Sequence, residues 1–127
     1  MSVFERLRPE AVREAAKRIA PNIKRTPLIR SPGLSDVARG DVYLKLEIEQ
    51  FTGSFKLRGA LNALGCLSPE QKRAGVVASS AGNHGMGVAS AAKTLGIKAK
   101  VYVPSTAPQV KKDGIKAMGA EIGRAHV

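Results

Sequence analysis

The sequence predicts an α/β fold in which helices cover a parallel sheet. Three observations lead there. Short apolar runs of strand character, at residues 42–46, 76–79 and 99–103, alternate with longer stretches whose apolar residues recur at three- and four-residue steps. Proline and glycine stand where such helices would start and stop. At 127 residues and 43% hydrophobic, the chain has the length of one ordinary domain and enough apolar material for one core.

Residues 9–23 read as the first helix, with Ala11, Val12, Ala15, Ala16, Ile19 and Ala20 on its apolar face and Pro21 closing it. A loop containing Pro27, Pro32 and Gly33 leads through a Gly40-Asp41 turn into the first strand. After Thr52-Gly53-Ser54, residues 55–67 read as a helix, with Ser54 or Gly53 as its N-cap. Ser68-Pro69-Glu70 starts a second short helix, which Gly75 ends. Residues 76–79 follow as a buried strand, and Gly82-Asn83-His84-Gly85 turns the chain into a small-residue helix that reaches Leu95 and stops at Gly96. The strand at 99–103 ends at Pro104. Pro108 opens the last helix, which runs to Met118 with Gly119 as its stop.

A further buried strand is expected after Gly119-Ala120-Glu121, and residues 122–127 make a poor one. The run from Glu121 to Val127 matches one reading frame of a commonly used short-read sequencing adapter. Residues 122–127 are therefore expected to be read-through at the end of an assembled DNA fragment, and His126 is assigned no role.

Composition narrows the function classes. Twenty-one basic against 10 acidic residues give a net charge of +11, which could serve an anionic partner. The basic residues are scattered over helical stretches, however, and only two tyrosines and three phenylalanines are present to stack on bases, so nucleic-acid binding is not expected. The single cysteine, Cys66, permits no internal disulfide, and no basic-then-apolar leader opens the sequence. No apolar run approaches the ~20 residues that cross a bilayer. A cytoplasmic chain with no membrane partner is expected.

Two local patterns carry chemistry, and both fall at junctions leading into helices, where α/β sheets bind ligands. In the first, residues 47–60, Lys56 stands in the first turn of a helix. The positive end of the helix dipole there disfavours its ammonium form. That favours the free amine, which is both the nucleophile toward an aldehyde and a base. In the second, residues 79–87, Gly82, Gly85 and Gly87 would let backbone N–H groups converge on a carboxylate or phosphate at a helix N-terminus. Each pattern has a plainer reading: a surface lysine, and an Asn83 that merely caps its helix. His84 fits a loop-fixing hydrogen bond better than a metal ligand, since no second ligand stands nearby. The partner of Arg58 cannot be read from the sequence.

Together, with Arg25-Thr26-Pro27-Leu28, Tyr43-Leu44-Lys45-Leu46-Glu47 and Gly119-Ala120-Glu121, these patterns closely resemble the fold-type-II pyridoxal-phosphate (PLP) enzymes, and specifically the threonine and serine dehydratase group. The resemblance implies a sheet of the tryptophan-synthase-β-like type, incomplete in this chain. It implies that Lys56 holds pyridoxal 5'-phosphate as a Schiff base, that Phe55 packs against the cofactor ring, and that Asn83 hydrogen-bonds the cofactor's phenolic oxygen. The loop of Ser80, Ala81, Gly82, Asn83 and His84 would receive the carboxylate of a small amino-acid substrate. The resemblance further implies that residues 1–50 belong with a larger domain and residues 51–121 form a smaller mobile domain. The later glycine-rich phosphate loop is not among these residues. The parent is implied to be a homodimer, and the fragment alone is expected to be inactive, with an exposed apolar face.

Ala81 bears on the reaction. Racemases of this group typically carry serine two residues before the loop asparagine, as a second acid/base, and alanine has no proton to exchange. Elimination of water and ammonia from L-threonine or L-serine, giving a 2-oxo acid, is therefore the expected reaction. A serine racemase or another hydroxy-amino-acid lyase is the alternative within the fold, and a non-catalytic basic binding module is the alternative from another class.

Overall fold

A computed structural model describes residues 8–125. Helix α1, Pro9–Ile19, opens with Pro9 in its first turn, beside Glu10, and ends with Lys17 and Arg18, so both ends complement the helix dipole. A single 3-10 turn, Ala20–Asn22, follows it. Strand β1, Leu28–Arg30, and strand β2, Tyr43–Lys45, pair antiparallel with Leu28 opposite Lys45, and helix α2, Pro32–Ala38, lies between them.

The strand read at 42–46 therefore does not join the parallel sheet. It forms a separate two-stranded ribbon with β1, exposed along its length. The region read as a loop around Pro32 contains a helix because Pro32 fixes the backbone of its first turn and because buried Ser35 anchors it. The Ser35 hydroxyl donates to Ser31 O at 2.7 Å and accepts from the Val42 N–H at 3.0 Å. Leu34 and Val37 of this helix are exposed, so no apolar face announced it.

A second 3-10 turn, Glu47–Glu49, follows β2. The remaining elements are α3, Lys56–Gly65; α4, Pro69–Ala74; β3, Val76–Ser79; α5, Asn83–Leu95; β4, Ala99–Pro104; α6, Gln109–Ala117; and β5, Glu121–Ala125. Strands β3, β4 and β5 form a parallel sheet in that order, with Val76 opposite Ala99 and Lys100 opposite Glu121. Helix α4 carries the expected N-terminus. The Ser68 hydroxyl accepts from the Gln71 N–H, and Gln71 Oε1 accepts in return from the Ser68 N–H. By contrast, Ser54 does not cap α3. Phe55 holds the N-cap position with no side-chain cap bond, and the Ser54 hydroxyl has no partner among the described residues.

Strand β3, expected to be buried, is an edge strand whose residues alternate in exposure, and Val77 is 71% exposed. Residues 121–125 do pair with β4, although their sequence is a poor strand. Gly123 makes room for the ring of Tyr102, whose Cε1 would lie 2.5 Å from an added Cβ. Residues 126 and 127 of the suspected read-through lie outside the described residues.

Helix α5 is buried on two sides because its residues are small. Ala91, Ala92 and Val88 join Ile19, Leu57, Leu61, Leu64 and Ile97 in one core cluster, while Ala89 joins Val101, Val103 and Ile115 in the other. Leu57, Ile115, Val101 and Val103 are the largest fully buried side chains, each stabilising by about 2 kcal/mol through loss of water contact. This packing fixes the starts of α3 and α5, where the candidate residues sit.

Candidate active site

Helices α3 and α5 make the most extensive contact between any two elements. Gly87 permits it, while Gly85 lets α5 close on the Ser80 turn and the Val101 and Ile115 core. A Cβ added at Gly87 would stand 3.1 Å from the carbonyl carbon of Lys56, 3.2 Å from its oxygen and 3.3 Å from Leu57 N. At Gly85, a Cβ would stand 2.8 Å from Ser80 O and 3.1 Å from Val101 Cγ1. Both glycines thus admit protein backbone and core, not a ligand as the sequence suggested. Of the three glycines read as ligand-facing, only Gly82 meets open space, with nothing within 4 Å.

Lys56 is the first residue of α3 and is exposed, its Nζ 4.9 Å from the centroid of the Phe55 ring. Phe55 is itself 60% exposed. Phe55, Lys56 and His84 line one largely apolar pocket of about 360 Å³ between α3 and α5, together with Gly59, Ala60 and Val88. A larger cavity of about 530 Å³, lined by Ser105, Lys112, Lys116 and Arg124, contains none of the candidate residues.

The loop from Ser80 to His84 leads from β3 into α5. Ser80 N donates to Tyr102 O at 3.0 Å, and the Gly82 N–H donates to the Ser80 hydroxyl at 3.2 Å, which fixes the turn. Gly82, not Asn83, is the N-cap, so the plainer reading of Asn83 as a cap does not hold. Asn83 occupies the first helical position, is exposed, and makes no side-chain hydrogen bond to another described residue. The loop-fixing bond expected of His84 is likewise not made among the described residues; Ser80 does that work. The first N–H groups of α5 have no partner within the helix and face the end that carries this loop.

Arg58 finds its partner in Glu47. The guanidinium donates from Nε to Glu47 Oε2 at 2.9 Å and from Nη2 to Oε1 at 2.7 Å, a two-pronged arrangement. Thr26 Oγ1 donates to the same Oε1 at 2.5 Å, and Lys45 Nζ to Thr26 O at 2.5 Å. The Arg58 bonds hold the Glu47 carboxyl well below the ordinary 4.5, at about 2, with Thr26 and the Lys45 charge adding to the effect against the cost of burial. Buried Gln50 bonds the backbone of Lys24 in both directions, at 2.9 and 3.0 Å. Sequence reasoning gave Glu47, Thr26 and Gln50 no role. Glu47 and Thr26 lay inside the recognised patterns, but their meeting depends on the β1–β2 ribbon, which had no legible signal.

Known proteins place the chain in a family. The pattern describing the pyridoxal-phosphate dependent enzyme family matches residues 19–126. The chain belongs to this family. It is 53% identical over 112 residues to the catabolic L-threonine dehydratase TdcB of Staphylococcus aureus (strain USA300), an alignment that takes in 87% of this chain and 32% of that protein. The structure of maize serine racemase superposes with a TM-score of 0.86 at 39% identity, covering 93% of this chain and 36% of that one. The processed form of threonine deaminase isoform 2 from Solanum lycopersicum superposes with a TM-score of 0.77 at 35% identity, covering 93% of this chain and 36% of that one. The chain thus spans about a third of the length of the curated relatives it matches.

The residues present fit a pyridoxal-type group. An exposed lysine at a helix start can form an imine with its aldehyde, an exposed aromatic ring beside that lysine can stack on its ring, and an unpartnered amide at Asn83 can donate to its hydroxyl oxygen. Among the described residues, no group of three or more histidines, cysteines or acids is placed to hold a metal, and no helix is long and apolar enough to cross a membrane.

Proposed function

We propose that this chain is the lysine-bearing part of a PLP-dependent ammonia-lyase that converts L-threonine or L-serine to a 2-oxo acid and ammonia. The observation that carries the reading is the packing of Gly87 on Lys56, which joins the start of α3 to α5, the helix that Asn83 and its loop open. When bound, the cofactor supplies an electron sink for negative charge at the substrate α-carbon. Lys56 would hold it covalently and, once its amine is free, take the α-proton at Nζ. The Asn83 amide would donate to the cofactor's hydroxyl oxygen, and Phe55 would cover its ring. The substrate carboxylate would sit against the loop of Ser80 to His84, where the first-turn N–H groups of α5 and the Ser80 hydroxyl can donate.

The relatives' names support the lyase, at 53% identity to a threonine dehydratase. Similarity to serine racemase structures, with TM-scores of 0.86, favours racemisation as the second reading. Ala81 weighs against it, because a methyl group cannot serve as the second acid/base.

Several coarser features belong to the same proposal. Residues 51–121 would form the smaller domain and residues 1–50 would join a larger one, which would cover exposed Leu28, Ile29, Leu44 and Ile48. Residues 122–127 would be read-through. The parent would be a cytoplasmic homodimer. The test is to express the protein at full family length and assay L-threonine and L-serine in parallel. Release of 2-oxo acid that disappears in Lys56→Ala supports the lyase; D-serine without oxo acid transfers the reading to the racemase.

A further inference from the structure

We propose that the Glu47–Arg58 ion pair is a clamp that sets where Lys56 presents its amine, making Glu47, Arg58 and Thr26 positioning residues. The inference rests on the reading of Lys56 as the cofactor lysine. Helix α3 begins without any side-chain cap, so nothing in its own sequence fixes the direction of its first turn. Arg58 lies in that turn, two residues beyond Lys56. Successive helical residues rotate by roughly 100°, so the two side chains leave the helix on nearly opposite sides. Arg58 can therefore grip the N-terminal segment while Lys56 stays free in its pocket.

The grip is built for direction. Both Glu47 oxygens are used, and the planar fork of Arg58 fixes an orientation that a single point charge would leave loose. Thr26 holds the carboxylate from behind, and Gln50 fastens the following residues to the Lys24 backbone. Residues 48–57 are thereby closed into a loop tied at both ends. Inside it, the hydroxyls of Thr52 and Ser54, only 6% and 7% exposed, have no partner among the described residues. Within the loop the Gly53 N–H donates to Gln50 O at 2.8 Å and the Arg58 N–H to Phe55 O at 3.1 Å, and the clamp adds the tie between its ends. On the other side, Gly87 brings α5 against the Lys56 carbonyl. The lysine backbone is fixed from two directions, and its amine has only the Phe55 ring beside it, 4.9 Å from the ring centroid.

The clamp is tested on the protein at full family length, stripped of cofactor, by brief exposure to pyridoxal 5'-phosphate, borohydride reduction, and peptide mapping of the labelled lysines. The quantity read is labelling of Lys56 relative to exposed Lys98, with circular dichroism and urea unfolding measured on the same samples. In the unaltered chain Lys56 should label ahead of Lys98. Glu47→Gln should lower the ratio by about tenfold, the size expected when a charge-assisted contact is lost. Arg58→Lys, which keeps the charge but not the fork, should fall between. Thr26→Val, a milder change, carries the test if Glu47→Gln fails to fold. A folded Glu47→Gln chain that loses stability yet keeps the wild-type ratio overturns the clamp and leaves an ordinary structural ion pair. No preference for Lys56 in the unaltered chain overturns the reading of that lysine, and the clamp with it.

Discussion

Replacing Gly85 with alanine should destabilise the chain although alanine is the better helix former. The added methyl would stand 2.8 Å from Ser80 O, 3.1 Å from Val101 Cγ1 and 3.3 Å from Ile115 Cδ1. Carbon–carbon contacts are most favourable near 3.5–4.0 Å, so all three neighbours are too close. The nearest is a backbone oxygen in the turn that Ser80 fixes, and it cannot rotate away. Val101 and Ile115 are fully buried, leaving them no free direction. Overpacking of this kind costs about 1–3 kcal/mol, and the helix preference of alanine over glycine returns about 1 kcal/mol. A net loss of up to about 2 kcal/mol follows, visible in urea unfolding as a lower midpoint at unchanged slope. Gly59→Ala is the matched control, a glycine inside α3 with nothing within 4 Å of its added methyl, and it should gain about 1 kcal/mol from helix preference alone. A Gly85→Ala midpoint at or above wild type would refute the packing argument.

Ser68→Ala removes the acceptor of the Gln71 N–H and half of the reciprocal cap on α4, and should cost about 1 kcal/mol in the same assay. Glu47 should make stability acid-sensitive. Its folded-state pKa, about 2, lies below the ordinary 4.5, so the contribution is complete above pH 4.5 and declines as pH falls toward 2. Arg58→Met removes the main cause of that depression, and a pH series of unfolding midpoints should show a shallower decline over this interval; an unchanged decline would mean that other carboxylates dominate it.

The sequence made the second half of the fold legible because local signals there agree with the tertiary structure. Ser68 and Pro69 start a helix that Gly75 ends, Gly96 and Gly119 adopt the positive φ of helix stops, and the apolar runs at 76–79 and 99–103 form strands. The first half was less legible. Strand β1 has three residues and exposes them all, and helix α2 exposes Leu34 and Val37, so neither shows the periodicity that marks a buried face. The pairing of β1 with β2 is non-local, and nothing in residues 42–46 distinguishes a ribbon strand from a member of the parallel sheet.

At the site, Lys56 and the 80–84 loop stood out because a lysine at a helix start and a run of small residues are unusual locally. The roles of Gly85 and Gly87 did not, because a glycine needed for contact with Ser80 O or the Lys56 carbonyl reads the same as one needed for a ligand. The Glu47–Arg58 pair was hidden for a related reason: 11 residues separate the partners, and only the folded ribbon turns Glu47 toward α3.

The most direct measurement of the central claim is to purify the protein at full family length with PLP, record its Schiff-base absorbance, reduce it with borohydride, and map the modified peptide by mass. The account predicts a single stable adduct on Lys56 and loss of the absorbance band in Lys56→Ala. An adduct on another lysine, with the band retained in Lys56→Ala, would contradict it.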